Sequence, residues 1–405
     1  VNKIAENWYP SREAALSRLN DFVPRAGRSY QSHRNEDLGE GQHKWVSGLS
    51  PYFRYGLLEE AEVIKAVLAQ HSAEAANKFI EEVSWRSYWQ GWMMMHPQIW
   101  LDYHSDVADR LTSMQQDIEL AECYHNACQG QTGIDCFDSW SREMQQTGYL
   151  HNHARMWFAS IWIFTLQLPW QLGADLFMRR MLDGDSSSNT LSWRSVAGLH
   201  TRGKHYVATA ENIRRFTHGR FNPVGQLNEQ AESMYEITMR PAIREIPAAG
   251  EVHGRVGILA TEAFCNLNGL VEAYQPVALG VLDTTEARSP GSVSQQVSRF
   301  SQGALLNLTE CSPQPLTLMQ LATLETQFCE WVQSHQLDSV LLLGVCPGIH
   351  QLVISQMIAG LPEGSRPHIC YHQSEWQRAL WPHAQAGFYK FRQQLPALLE
   401  RLSAT

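Results

Sequence analysis

An all-α domain followed by a Rossmann-like, parallel α/β domain is the architecture this sequence predicts, and three observations carry it. Eleven of the 14 tryptophans lie before residue 200, and only Trp331, Trp376 and Trp381 lie after residue 250. Apolar residues recur at helical spacing through the first 245 residues, whereas short apolar runs alternate with helix-length segments after residue 254. Between them, Pro241, Pro247, Ala248-Ala249-Gly250 and Gly254 mark a linker. The expected boundaries are 1–240 for the helical domain, 241–254 for the linker and 255–405 for the α/β domain.

In the helical half, Leu57–Gln70 and Glu74–Met95 are periodic. Leu150–Leu166 places Met156, Phe158, Ile161 and Ile163 among small residues, and Pro169–Leu182 is closed by the turn Asp183-Gly184-Asp185. No strand is expected here. Beyond the linker, Arg255–Ala260, Val277–Leu282, Ser339–Val345 and His368–Tyr371 read as strands. Val293–Leu308, Leu316–His335 and Gly348–Leu361 read as helices. Strands alternating with helices give a parallel sheet covered on both faces. The turn Gly344-Val345-Cys346-Pro347-Gly348 lacks the full dinucleotide fingerprint and reads as a tight strand-to-helix connection.

A chain of 405 residues favours two domains, and 44% hydrophobic with 18% charged residues is a globular composition. No apolar run reaches the roughly 18 to 20 residues that span a bilayer. Val1-Asn2-Lys3 begins no signal-like apolar stretch, so a soluble, cytoplasmic protein without a membrane partner is expected. Cys123, Cys128 and Cys136 come closest to a cluster but carry no C-x-x-C spacing, so buried free thiols are expected and no metal site. The net charge of −9 argues against a general nucleic-acid binder. Even so, Arg179, Arg180, Arg194, Arg202, Lys204, Arg214, Arg215 and Arg220 face only Asp183, Asp185 and Glu211 over that stretch. Either a local basic face or a set of solvated helix surfaces fits.

Three segments are more specific than composition. The first is Trp45-Val46-Ser47-Gly48-Leu49-Ser50-Pro51-Tyr52-Phe53-Arg54-Tyr55-Gly56. The second is Thr147-Gly148-Tyr149-Leu150-His151-Asn152-His153-Ala154-Arg155-Met156. The third is Leu182-Asp183-Gly184-Asp185-Ser186-Ser187-Ser188-Asn189, followed by Trp193, Val196, Ala197 and Gly198. In this order, with Asn222-Pro223 behind them, they resemble the FAD-binding domain of the DNA photolyase/cryptochrome family.

The resemblance implies an all-α photolyase-type fold and FAD as cofactor, reduced in its working state. Ser47, Leu49 (through its backbone N–H) and Ser50 match phosphate-binding positions, and Tyr30 matches a tyrosine near the cofactor. A pyrophosphate needs such donors at a turn or helix start, and capping of the helix near Pro51 is the structural alternative for both serines. Arg155 and Asp183 match an ion pair beside the isoalloxazine ring, where neither charge could stay buried alone. Asp185 matches a second acidic position, and Asn189 the residue facing flavin N5. An amide exchanges hydrogen bonds there without supplying a proton. In this it resembles photolyases rather than plant cryptochromes, which have aspartate.

Glu82, Trp85, Asn152 and Met156 match the pocket for a flipped-out pyrimidine dimer, which needs a flat apolar wall and a few polar groups. Arg34 and Arg86 match positions that meet DNA phosphates. Trp193 and Trp170 match the proximal and middle tryptophans of the chain that photoreduces the flavin. The implied activity is light-driven repair of cyclobutane pyrimidine dimers in DNA by electron transfer from reduced flavin. Glu82, Asn189, Trp193 and Trp170 would carry it. The alternative is a cryptochrome-like photoreceptor that repairs nothing.

The sequence departs from the family pattern in several places. Val46 replaces a threonine, and His153 replaces an arginine, making one charge conditional on pH. Ser195 replaces a second stacking tryptophan, a contact worth about 1 to 3 kcal/mol per base. The loop Leu199–Tyr206 is altered. The distal tryptophan position falls on Ala127, with Tyr124, Trp140, Trp157 and Trp162 as substitutes. Family members usually place an α/β antenna domain before the flavin domain, whereas here the α/β part follows. No chromophore motif marks it, so a structural or partner-binding role is preferred and the second chromophore stays unassigned.

Overall fold

In the computed structural model, which describes residues 8–236, 242–247, 249–362, 364 and 366–404, every strand lies between Val256 and Tyr371. The helices that shape the site are α1 (Ser50–Arg54), α2 (Ala73–Met95), α3 (Asn152–Ser160), α4 (Trp170–Arg180) and α5 (Ser186–Ala197). Helix α2 is the spine. The Ser72 side chain caps it by accepting the Ala75 N–H at 3.2 Å, and no proline interrupts its 23 residues. Toward the helical half, Phe79 packs edge-on against Tyr30 at 5.2 Å. Toward the C-terminal half, Ser87 Oγ accepts from Trp376 Nε1 at 2.8 Å. A Cβ on Gly91 would sit 3.0 Å from the Trp381 backbone, so a larger residue would push the two segments apart by a few tenths of an ångström.

Helix α3 runs into a π-helical turn, Ile161–Thr165, which divides the helix predicted over Leu150–Leu166. The helix Ile118–Gln129 buries only Ala127 and leaves Cys123 exposed, against the expectation of buried thiols, while Cys136 is buried. Of the basic stretch, Arg179, Arg194 and Arg220 turn inward onto Asp175, Glu236 and Asp37. Arg202, Lys204, Arg214 and Arg215 are exposed.

The sheet has five parallel strands in the order β3-β2-β1-β4-β5. They are β1 (Val256–Thr261), β2 (Ala278–Asp283), β3 (Leu316–Gln320), β4 (Ser339–Leu343) and β5 (His368–Tyr371). Ile258 of β1 pairs with Leu279 and with Leu341. β1 and β4 are buried along their whole length, which explains their unbroken apolar runs. The helix predicted over Leu316–His335 divides in two, because Leu316–Gln320 is the edge strand β3 and the helix begins only at Leu324. An edge strand is half exposed and lacks the apolar run that marks its neighbours. Two further helices matter below, α6 (Ile349–Ala359) and α7 (Phe388–Phe391).

Residues 241 and 248 of the expected linker lie outside the described residues. Buried apolar side chains form one continuous cluster through both halves. Among the described residues, no helix is long and apolar enough to cross a membrane.

Candidate active site

A cavity of about 700 Å³ opens among α1, α2, α3 and α5, within the size range of small-molecule and cofactor sites. Its wall includes Tyr30, Arg34, Ser47, Leu49, Ser50, Glu82, Trp85, Arg86, Asn152, Arg155, Met156, Asp183, Asp185, Asn189 and Trp193. Of the sequence-predicted site residues, Trp170 alone stands off it.

At one end, Ser47 Oγ accepts the Leu49 N–H at 3.3 Å, so that N–H, expected at a phosphate, already has an internal partner. The N-cap of α1 is Leu49, and neither serine caps the helix. The Ser47 and Ser50 hydroxyls remain on the cavity wall.

The Asp183-Gly184-Asp185 turn supplies the acidic side. Arg155 grips Asp183 with both Nη atoms, at 3.2 and 2.8 Å, and its Nε donates to Leu150 O at 2.9 Å. Burial pulls the guanidinium pKa down, but Asp183 outweighs it and the net shift is upward. Asp185 caps α5 by accepting the Ser188 N–H at 2.8 Å. Burial raises its pKa, and Arg86 with the Ser188 hydrogen bond reverses this, so the carboxyl lies below its ordinary value. Arg86, expected at a DNA phosphate, is instead committed inside the wall. It lies 3.0 Å from Glu60 and 3.4 Å from Asp185 Oδ2, with its side chain only 16% exposed.

Asn189 Nδ2 donates to Ala174 O at 2.8 Å, which leaves Oδ1 as its acceptor toward the cavity. Trp193 lines the cavity with its ring, and its Nε1 is buried without a hydrogen-bond partner among the described residues. The Ser47 and Ser50 hydroxyls, the Arg155–Asp183 pair and the Asn189 amide on an otherwise largely apolar wall fit a polar, ring-bearing cofactor.

Trp193 touches Phe177 at 5.1 Å and Trp162 at 6.3 Å. Trp162 in turn meets Tyr124 edge-on at 5.9 Å. Trp170, the expected middle donor, stacks on Tyr103 at 5.6 Å, and its Nε1 donates to Glu236 at 3.0 Å. Ala127 is fully buried.

On the opposite wall, Glu82 lies 3.1 Å from both Arg34 and Lys78, so the glutamate and the arginine hold each other. His153 is 8% exposed, and its Nδ1 donates to Asn35 O at 3.0 Å. Burial lowers its pKa, so it carries less charge than an open histidine would. Ser195 lines the cavity where a second aromatic wall was missed.

The α/β half contacts elements of this site behind the cavity lining, through Arg54 and Ser186. An open parallel sheet takes ligands at the carboxyl ends of its strands, where strand order reverses, here between β1 and β4. That crevice holds Glu262, His350 of α6 and the incoming Arg54 of α1. Ser186 Oγ donates to Pro347 O in the β4–α6 turn, the tight connection that was predicted. Sequence reasoning missed Arg54, Glu262 and His350, since no local pattern ties residues so far apart.

Residues 79–250 match the family model of the FAD binding domain of DNA photolyase. The chain is 28% identical over 250 residues to the deoxyribodipyrimidine photo-lyase of Vibrio cholerae, covering 60% of this chain and 49% of that protein. It is 31% identical over 224 residues to the enzyme of the same name from Thermus thermophilus, covering 54% and 47%. The chain thus spans about half the length of these curated relatives. Among solved structures it is similar to a class III photolyase from Agrobacterium tumefaciens, with a TM-score of 0.44, 24% identity, and coverage of 53% of this chain and 44% of that one. It is also similar to a Synechocystis cryptochrome, with a TM-score of 0.43, 21% identity, and coverage of 51% and 43%. With its cavity-lining segments in the family's order, the chain carries, over residues 79–250, a region similar to the FAD binding domain of DNA photolyase.

Proposed function

We propose that this protein binds FAD in the cavity and uses it in blue light to repair cyclobutane pyrimidine dimers in DNA. The observation that supports this best is that flavin-type and dimer-type positions line one space. Arg155, Asp183 and Asn189 share it with Glu82, Trp85, Asn152 and Met156. Ser47 and Ser50 would hold the pyrophosphate, and Asp183 with Asp185 would face the ring system. When bound and reduced, FAD supplies a light-excitable electron donor. Asn189 Oδ1, fixed by the Ala174 bond, offers an acceptor to a protonated ring nitrogen. Glu82 would accept a hydrogen bond from the dimer, Trp85 would flank it, and the apolar wall would exclude water. We read 1–240 as the FAD-binding domain, 241–254 as the linker and 255–405 as the α/β domain, with damaged DNA as partner.

The test is blue-light recovery of thymine absorbance in an oligonucleotide with one thymine dimer, using FAD-loaded, photoreduced protein and a dark control. Light-dependent recovery, lost or much reduced in Glu82→Ala, is expected. No recovery from protein that holds photoreducible FAD would overturn repair in favour of a cryptochrome-like sensor, the reading that Ser195 and His153 favour.

A further inference from the structure

We propose that Glu262, in the α/β half, is a positioning residue for the cofactor cavity, fixing through Arg54 the backbone turn that carries Asp183 and Asp185. The proposal rests on the reading that the cavity holds FAD.

Arg54 is 3% exposed and bridges the two halves. Its Nε donates to Gly184 O at 2.8 Å, and its Nη2 donates to Glu262 Oε1 at 2.9 Å. Gly184 is the middle of the turn, with a cavity carboxylate on either side. Glu262 is 0% exposed and fully engaged. Its Oε2 accepts the Thr284 N–H at 3.0 Å and the Thr284 hydroxyl at 2.9 Å, and His350 Nε2 lies 3.2 Å from Oε1. Thr284 follows β2, His350 opens α6 and Arg54 ends α1. A carboxylate gripped from three elements cannot swing, and charge-assisted bonds make it a firm anchor.

The backbones are locked beside it. Gly56 has φ +57°, and a Cβ there would strike the Ala263 carbonyl. The Cys265 N–H donates to Tyr55 O at 2.8 Å. Arg54 therefore has a fixed aim at Gly184. It also acts electrostatically on Asp185, whose direct partner is Arg86. Without the Glu262 carboxylate, the guanidinium would be left with Gly184 O and would shift toward the cavity acids. The anchor thus sets both the place of the turn and the charge that Asp185 experiences.

The test compares the full chain with Glu262→Gln, Glu262→Asp and Gln296→Ala. Gln296 makes a bond between the halves that does not border the cavity, to Gln145 O. Three readouts are taken: the FAD dissociation constant, the midpoint potential of bound FAD, and amide hydrogen exchange of residues 182–186 in the FAD-free chain. Glu262→Gln is expected to bind FAD about tenfold more weakly, the equivalent of one unsatisfied buried hydrogen bond. Its midpoint potential shifts and exchange in the turn accelerates, Glu262→Asp recovers part of each, and Gln296→Ala changes none. Unchanged readouts in Glu262→Gln overturn the proposal, as does a loss that Gln296→Ala reproduces. Should Glu262→Gln fail to fold, Thr284→Val removes one of the bonds to Glu262 while keeping its charge, and is judged by the same readouts. A wild-type chain that binds no FAD overturns the cofactor reading, while the exchange measurement still decides whether Glu262 positions the turn.

Discussion

Phe388 lies flat on Trp85, with ring centroids 3.7 Å apart and planes 8° from parallel. Phe388 belongs to α7 and does not line the cavity, so it backs the aromatic wall from the α/β side. Next to α7, Arg392 pairs with Glu81 at 2.7 Å, pinning the same stretch of α2. Phe388→Ala is expected to cost about 1 to 2 kcal/mol, from a lost aromatic pair and its buried area. Urea titration measures this. Affinity for a thymine-dimer oligonucleotide should fall while FAD binding holds. An unchanged dimer affinity would mean that Trp85 keeps its place unaided.

Electron supply to the cavity offers a second comparison. The ring contacts of Trp193 lead to Trp162 and on to Tyr124, whereas Trp170 is stacked on Tyr103. Trp162→Phe is therefore expected to slow flavin photoreduction more than Trp170→Phe does, with an external reductant held constant. The reverse order would restore Trp170 as the middle donor.

The charge cluster at the carboxyl ends of β1 and β4 makes stability depend on pH. Burial pulls the His350 pKa down, but Glu262 and further hydrogen bonding outweigh it and raise it from 6.5 to about 9. A raised histidine contributes stability that is complete below its unfolded value and is lost as pH climbs through the folded one. Thermal stability should therefore decline between about pH 6.5 and pH 9. Burial raises the Glu262 pKa, but His350 and Arg54 drive it well below 4.5, so its own contribution fades only in acid. His350→Gln should flatten the alkaline decline, and an identical decline in that variant would assign it to other groups.

Asn189→Asp probes the amide that Ala174 orients. Only a protonated carboxyl can donate to that carbonyl, so the new side chain should titrate above the ordinary carboxylate range. Its stabilising bond would be present in acid and lost as pH rises, leaving the variant about 1 to 3 kcal/mol less stable than wild type at neutral pH. Denaturation at two pH values checks this. Equal stability at both would show that the Ala174 bond is not needed.

Much of this was legible in the sequence. The three quoted segments are local strings, and the fold brings them to one wall. β1 and β4 announced themselves because burial on both faces favours runs of apolar residues, here Val256–Ala260 and Val340–Leu343. β3 did not, since its exposed face mixes polar and apolar residues as a helix surface does. Arg54 sat inside a quoted segment, yet its partner lies 208 residues away, and nothing local to Glu262 marks it as that partner. Phe388 was equally silent, because a half-exposed phenylalanine in a four-residue helix has no periodicity to read.

Helix α2 faces the cavity on one side and Trp376, Trp381 and Phe388 on the other, and this shapes how the protein is made. When a ribosome has released the helical half, the partners of Ser87, Gly91 and Arg54 have not yet emerged. A nascent chain at that stage shows water an apolar face and an arginine without its carboxylate, the kind of surface on which chaperones act. Synthesis of the segment from Trp376 to Phe391 adds the aromatic backing behind a cavity whose own lining was translated first.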